Sequence, residues 1–280
     1  MVKSVRKLVI PSAGMGNRLL PSTKEIPTEM MPNFTQDSKK RIFVKPLIQI
    51  LFEQFFSKGI HEYCIIVGKQ KRAIEDHFTP DNSLLSNLSP EPKKLMQNFF
   101  KKLKSSRIFW INQYEAKGFG DAVLTAETFV GDDDFLVSAG DTLVPFNGTV
   151  IEELMTTDLA GKNDALIILK KVSNPKRFGV AVVKKQKTFF QVINVEEKPK
   201  KPKSNLAIVA LYRFKPSIFS ALKSIKPKGE LQLTDGIQKL IEQGGSVRAI
   251  ILSEKQDVID IGTPDSYLEI LKKSSPLKIT

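Results

Sequence analysis

Cysteine, tryptophan and long apolar runs are scarce in this 280-residue chain, and each scarcity closes a class. The single cysteine, Cys64, excludes an internal disulfide, and its place in an apolar run reads as a small core residue. No apolar stretch approaches the roughly 20 residues needed to cross a bilayer, so no membrane span is expected. The opening Met1–Lys7 is followed by too short an apolar stretch for a signal peptide, and the expected compartment is cytoplasmic. One tryptophan and four tyrosines, with no nucleic-acid-binding motif, argue against specific nucleic-acid binding despite a net charge of +13. The basic clusters Lys39–Arg41, Lys101–Lys104 and Lys198–Lys203 read as a solvated face, which would still speed encounter with phosphorylated small molecules. There is no internal repeat and no low-complexity linker.

What is present is a chain that is 41% hydrophobic, enough for an ample core. Strand, loop and helix patterns alternate, which predicts an α/β fold with a mostly parallel sheet and helices on both faces. Leu47, Ile48, Leu51 and Phe55 share one stripe of a helix predicted over Lys45–Lys58. Tyr63–Val67 is a continuous apolar run of the kind buried on both faces. A helix is expected over Lys69–Phe78, a surface excursion over Asp81–Pro92, and a short basic helix near Lys93–Lys104. Arg107–Asn112 and Phe135–Ala139 read as strands, with a helix over Gly120–Phe129 between them. One domain spanning residues 1–280 is the simplest organisation.

Four segments carry candidate chemistry. After the apolar Leu8-Val9-Ile10 comes Ser12-Ala13-Gly14-Met15-Gly16, then Arg18 and Lys24. Small residues after a strand let backbone N–H groups approach an anion, and the cations beyond can neutralise it; an ordinary turn is the alternative. The spacing is neither the dinucleotide fingerprint nor a P-loop. The second segment, Gln113 to Gly120, follows a strand whose C-terminal end should face the same crevice. The amide of Gln113 offers both a donor and an acceptor. In the third, Asp141 closes the apolar strand Phe135–Ala139, as a ligand-side acid or as a cap of the next turn. In the fourth, Asp260 alternates with apolar neighbours, where an unpaired carboxylate would be costly and a cation would answer the cost.

The first segment, G-x-G-x-R-x-x-P-x-T-K-x-x-P-x-E-M-x-P from Gly14 to Pro32, resembles the signature loop of sugar-1-phosphate nucleotidylyltransferases, especially their UTP–glucose-1-phosphate uridylyltransferase branch. Q-x-x-x-K-G-x-G (Gln113–Gly120), Phe178-Gly179-Val180, V-E-E-K-P (Val195–Pro199), S-N-L-A-I-V (from Ser204) and E-x-Q-L-T-D (Glu230–Asp235) follow in the family's order. The resemblance implies a Rossmann-like fold of nucleotide-diphospho-sugar transferase type, with nucleotide binding in about residues 1–145 and sugar binding in about 146–280. It assigns Ala13, Gly14, Gly16, Gln113 and Gly118 to the nucleotide, with Gln113 and Gly118 on the uracil edge. Gly179 and Glu197 fall to the sugar and Lys198 to its phosphate, Asp141 and Asp260 to Mg²⁺, and Arg18 to the triphosphate. The implied reaction joins UTP and glucose 1-phosphate into UDP-glucose and pyrophosphate, in a homodimer or homotetramer.

Two departures stand out. Asn17 replaces the family's threonine, which keeps a small polar side chain. Thr28 replaces the family's lysine, its main cation at the attacked α-phosphate, a loss of about 10²–10³ in rate if nothing compensates. Lys24 is the expected substitute. Three alternatives remain at this level: a non-catalytic regulatory homologue that binds nucleotide sugar, a thymidylyltransferase using dTTP, and a basic nucleic-acid-associated protein.

Overall fold

The computed structural model describes residues 5–144, 149–157, 163–254, 256, 258–272 and 277–278. In chain order the strands are β1 (Lys7–Ser12), β2 (Pro32–Gln36), β3 (Ile42–Pro46), β4 (Glu62–Val67), β5 (Arg107–Asn112), β6 (Phe135–Ser138) and β7 (Thr142–Leu143). They continue with β8 (Asn163–Lys171), β9 (Gly179–Lys185), β10 (Phe190–Glu197), β11 (Leu206–Phe214), β12 (Ser246–Ile251), β13 (Ile259–Asp260) and β14 (Leu277–Lys278). Nine of them form one sheet in the order β5-β4-β1-β6-β11-β8-β12-β10-β9. The ladders set β5, β4, β1, β6, β8, β12 and β9 in one direction, and β11 and β10 in the other. The mostly parallel α/β architecture is therefore present.

Why the apolar runs are continuous follows from the two layers around the sheet. Leu8 and Ile10 of β1 enter one cluster with Tyr63, Ile65 and Leu136; Val9 enters the opposite cluster with Cys64, Ile66 and Val137. Alternate side chains of a strand point to opposite faces, so burial on both faces demands apolar residues at every position. Each such side chain contributes roughly 1.5–3 kcal/mol relative to exposure. The helix Leu47–Phe56 covers the first face, whereas Phe119–Thr125, Ser217–Lys223 and Leu233–Glu242 cover the second.

Several elements differ in extent from the sequence-based expectation. The helix expected from Lys69 begins at Arg72, because Gln70 holds a left-handed φ of 69°. The helix expected over Gly120–Phe129 divides into Phe119–Thr125 and Glu127–Val130. The excursion at Asp81–Pro92 carries an exposed turn of helix, Asn82–Ser86, and Pro90 begins the basic helix, which ends at Lys104. The hairpin of β2 and β3 was not foreseen; its turn holds Lys39-Lys40-Arg41, with Lys40 at φ 62°. Among the described residues, no helix is long and apolar enough to cross a membrane. The reading of a leader rested partly on residues 1–4, which lie outside the described residues.

Candidate active site

Because β1, β4, β5 and β6 are parallel neighbours, the loops leaving their C-terminal ends meet along one edge of the sheet. Two adjoining lobes of a cleft open there, of about 380 Å³ and about 590 Å³. They share Gly14, Arg18, Glu29, Asp141, Lys198 and Gly262.

The smaller lobe is walled by the loop after β1 and the segment after β5. Gly16 takes a left-handed φ of 65°, and a Cβ there would meet Thr28 Oγ1 at 2.8 Å, so glycine is required both by conformation and by space. The Gly16 carbonyl accepts a 2.7 Å hydrogen bond from Thr23 Oγ1, which ties the loop to the following 3₁₀ turn, Ser22–Lys24. A Cβ on Gly14 would meet no protein atom within 4 Å, so that backbone stands open to a ligand. Gly118, at φ 112°, begins the helix Phe119–Thr125, and a side chain there would collide with the Leu231 backbone. Gln113 is 7% exposed, and its Nε2 donates to Asp121 Oδ2 at 2.7 Å and to the Gly118 carbonyl at 3.3 Å. Ala13, Gly14, Gly16, Arg18, Gln113 and Gly118 thus line one lobe.

In the larger lobe, Gly179 and Glu197 are direct register partners of β9 and β10. Thr234 Oγ1 donates to Glu197 Oε2 at 2.8 Å, and a Cβ on Gly179 would crowd both groups, at 2.9 and 3.0 Å. Lys198 holds a positive φ of 41°, a costly conformation for a side-chain-bearing residue, and its Nζ lies 3.3 Å from Glu197 Oε1.

Asp141 and Asp260 arrive from segments more than a hundred residues apart in the chain. β13 pairs antiparallel with β7, setting Asp260 opposite Thr142, and the Ile261 N–H donates to the Asp141 carbonyl at 3.2 Å. Burial raises the Asp141 carboxyl above its ordinary value. Asp260 faces the open cleft but is ringed by protein; burial and then the Asp141 charge push it up to about 6, with Arg18 and Arg177 pulling against them. A carboxylate whose charge is disfavoured by burial and by a second carboxylate forms a site suited to a cation. Among the described residues no group of three or more His, Cys, Asp or Glu could hold a metal ion, so the acids here number two.

Lys24 does not reach this site. Thr23 is turned inward to Gly16, which leaves Lys24 pointing outward, 77% exposed and 3.6 Å from Glu25. It lines neither lobe, so this arrangement gives no support to its expected role as the substitute cation. Thr28 itself is buried beside Gly16. The buried cation near Asp141 is Lys71, whose Nζ lies 2.7 Å from Glu29 Oε2. Burial pushes the Glu29 carboxyl to about 7 against the pull of Lys71. Sequence reading passed over Glu29, Lys71, Asp121, Arg177 and Thr234. Glu29 and Thr234 stood inside quoted motifs, whereas Lys71 carried no signal.

The chain matches the nucleotidyl transferase family over residues 7–275. It is 39% identical over 249 residues to the UTP–glucose-1-phosphate uridylyltransferase of Bacillus subtilis (strain 168), covering 86% of this chain and 82% of that protein. Against the enzyme of that name from Mycoplasma genitalium, identity is 38% over 282 residues, covering 96% and 91%. A solved structure of UDP-glucose pyrophosphorylase complexed with UDP-glucose superposes with a TM-score of 0.79 at 26% identity, covering 95% of this chain and 97% of that one.

Proposed function

The chain belongs to the nucleotidyl transferase family, and from that premise we propose that its cleft transfers a uridylyl group from UTP to glucose 1-phosphate. The products are UDP-glucose and pyrophosphate. The reading is supported above all by one convergence: the Gln113–Gly118 segment, an acid pair and a Glu–Lys loop border the same two-lobed cleft.

In this reading an oxygen of the sugar 1-phosphate attacks the α-phosphorus in line. A new P–O bond forms, the bond to the β-phosphate oxygen breaks, and its electron pair leaves with pyrophosphate. Such a transfer asks the protein for positioning and charge neutralisation more than for covalent work. Gln113 and Gly118 hold the uracil edge, while Gly14, Gly16 and Arg18 take the triphosphate. Glu197, steadied by Thr234, takes sugar hydroxyls, and Lys198 takes the sugar phosphate. Asp141 and Asp260 are the residues that would hold Mg²⁺, which when bound supplies charge neutralisation between phosphates. Residues up to about 145 serve the nucleotide, and those beyond serve chiefly the sugar. The proposal includes a cytoplasmic homodimer or homotetramer, in keeping with one free, buried Cys64.

Pyrophosphate release across a grid of nucleoside triphosphates and sugar 1-phosphates with Mg²⁺ tests the reading. UTP with glucose 1-phosphate should be the best pair, and a best pair with dTTP would move the enzyme to the thymidylyl branch. Thr28 favours a second reading, a regulator that binds nucleotide sugar without turning it over. Binding of UDP-glucose with no pyrophosphate release from any pair would establish that reading instead.

A further inference from the structure

The side-chain amide of Gln113 is not free to choose which end it offers a ligand. Its Nε2 faces two oxygens at once, Asp121 Oδ2 at 2.7 Å and the Gly118 carbonyl at 3.3 Å. Both neighbours accept and neither donates, so rotating the amide by half a turn would set Oε1 against two lone-pair-bearing atoms and lose both bonds. The orientation is therefore fixed by chemistry as well as by fit. Of the two bonds, the one to Asp121 is shorter and charge-assisted, the stronger kind. Asp121 sits in the first turn of the helix Phe119–Thr125, whose start is fixed by Gly118 against the Leu231 backbone. The neighbouring cation, Lys117, is held by Glu115 at 2.8 Å.

With both Nε2 hydrogens engaged, the group Gln113 has left to offer in the cleft is Oε1, an acceptor. Uracil and thymine carry a hydrogen on N3, and cytosine presents a lone pair there. We propose that Asp121 is a positioning residue that locks the Gln113 amide with its carbonyl toward the base, so that the site selects pyrimidines bearing N3–H and rejects cytosine. The proposal rests on the assignment of Gln113 to the base made above. It does not address the C5 methyl, so dTTP and UTP are treated alike by this device.

The test compares UTP with CTP in the native chain, Asp121→Ala, Asp121→Asn and Asp121→Lys, by kcat/KM in pyrophosphate release and by calorimetric binding of each nucleotide. In Asp121→Ala the amide is held by the Gly118 carbonyl alone, and the UTP-to-CTP ratio should fall by about tenfold, chiefly through a higher KM for UTP. Asp121→Asn can still accept from Nε2 and should keep the native ratio. Asp121→Lys puts a donor where the acceptor was, turns the amide over and should lower the ratio further than Ala does. The KM for glucose 1-phosphate should hold in all three, which a general loosening of the fold would not allow. An unchanged ratio in both Asp121→Ala and Asp121→Lys overturns the proposal, as does an Asn variant that fails to restore it. Failure of the functional reading is separate: a native chain that releases no pyrophosphate yet binds UTP over CTP, and loses that preference in Asp121→Ala, leaves the role of Asp121 intact.

Discussion

Lys71→Met probes the ion pair beneath the cleft floor. Lys71 and Glu29 are 6% and 7% exposed and meet at 2.7 Å, so removing the lysine strands a carboxylate in the protein interior. Breaking a buried pair from one side costs about 3–5 kcal/mol. Glu29 has a partial escape, because its carboxyl is already raised from 4.5 to about 7 by burial and rises further once Lys71 is gone. A loss of about 3 kcal/mol at pH 8, the low end of that range, is the expected result, and it lowers Tm by roughly 6–12 °C. The pH dependence carries the sharper signature. An acid with a raised folded-state pKa binds a proton on folding, so its contribution is fully present below pH 4.5 and is lost as pH climbs through about 7. The gap between 4.5 and about 7, at 1.36 kcal/mol per pH unit, corresponds to about 3 kcal/mol lost across that window. At pH 5.5 Glu29 is protonated in the native chain too, so Lys71→Met should cost about 1 kcal/mol or less there. Urea unfolding at pH 5.5 and pH 8 reads the difference, and Glu29→Gln combined with Lys71→Met should recover most of the loss. An equal loss at both pH values, or less than about 1 kcal/mol at pH 8, would refute the reasoning.

The other predictions concern the cleft. Asp260, raised to about 6, must shed its proton to bind a cation, so the Mg²⁺ concentration for half-maximal turnover should climb about tenfold per pH unit below 6; a flat requirement between pH 8 and pH 5.5 would remove Asp260 from the metal site. Gly179→Ala drives a methyl against Glu197 and Thr234 and should raise the KM for glucose 1-phosphate severalfold with the KM for UTP held, as steady-state kinetics would show. Lys24→Ala should leave turnover within about twofold, since exposed substitutions away from structural features seldom matter; a hundredfold loss would mean that the loop closes over the substrate. Thr28→Lys, which extends a cation into the smaller lobe, should leave pyrophosphate release equal or faster, and a collapse in rate would show that Thr28 is needed as it stands.

The element pattern was legible in sequence where a short apolar run stands between polar residues, even in the half-exposed edge strand β5. Arg107–Asn112 was read at its observed limits, and Glu62–Val67 within one residue, because continuous apolar runs bounded by polar residues admit few other readings. The motif glycines were legible for a related reason: Gly16 and Gly118 sit where a positive φ and a close neighbour exclude a Cβ. What sequence could not fix is direction in space. Lys24 and Lys71 are both basic residues near the first loop or the next strand, yet one faces solvent and the other reaches Glu29. Which way each points depends on Thr23 bonding back to Gly16 and on packing between segments 42 residues apart. The meeting of Asp141 with Asp260 likewise required β7 and β13 to pair across the mouth of the cleft, and the amide of Gln113 acquired a fixed orientation only when Asp121 came within 2.7 Å. Local sequence sets backbone preference and hydrophobic period, which are short-range properties; the partners of a charge or an amide are set by long-range packing, which brings distant residues to within a hydrogen bond.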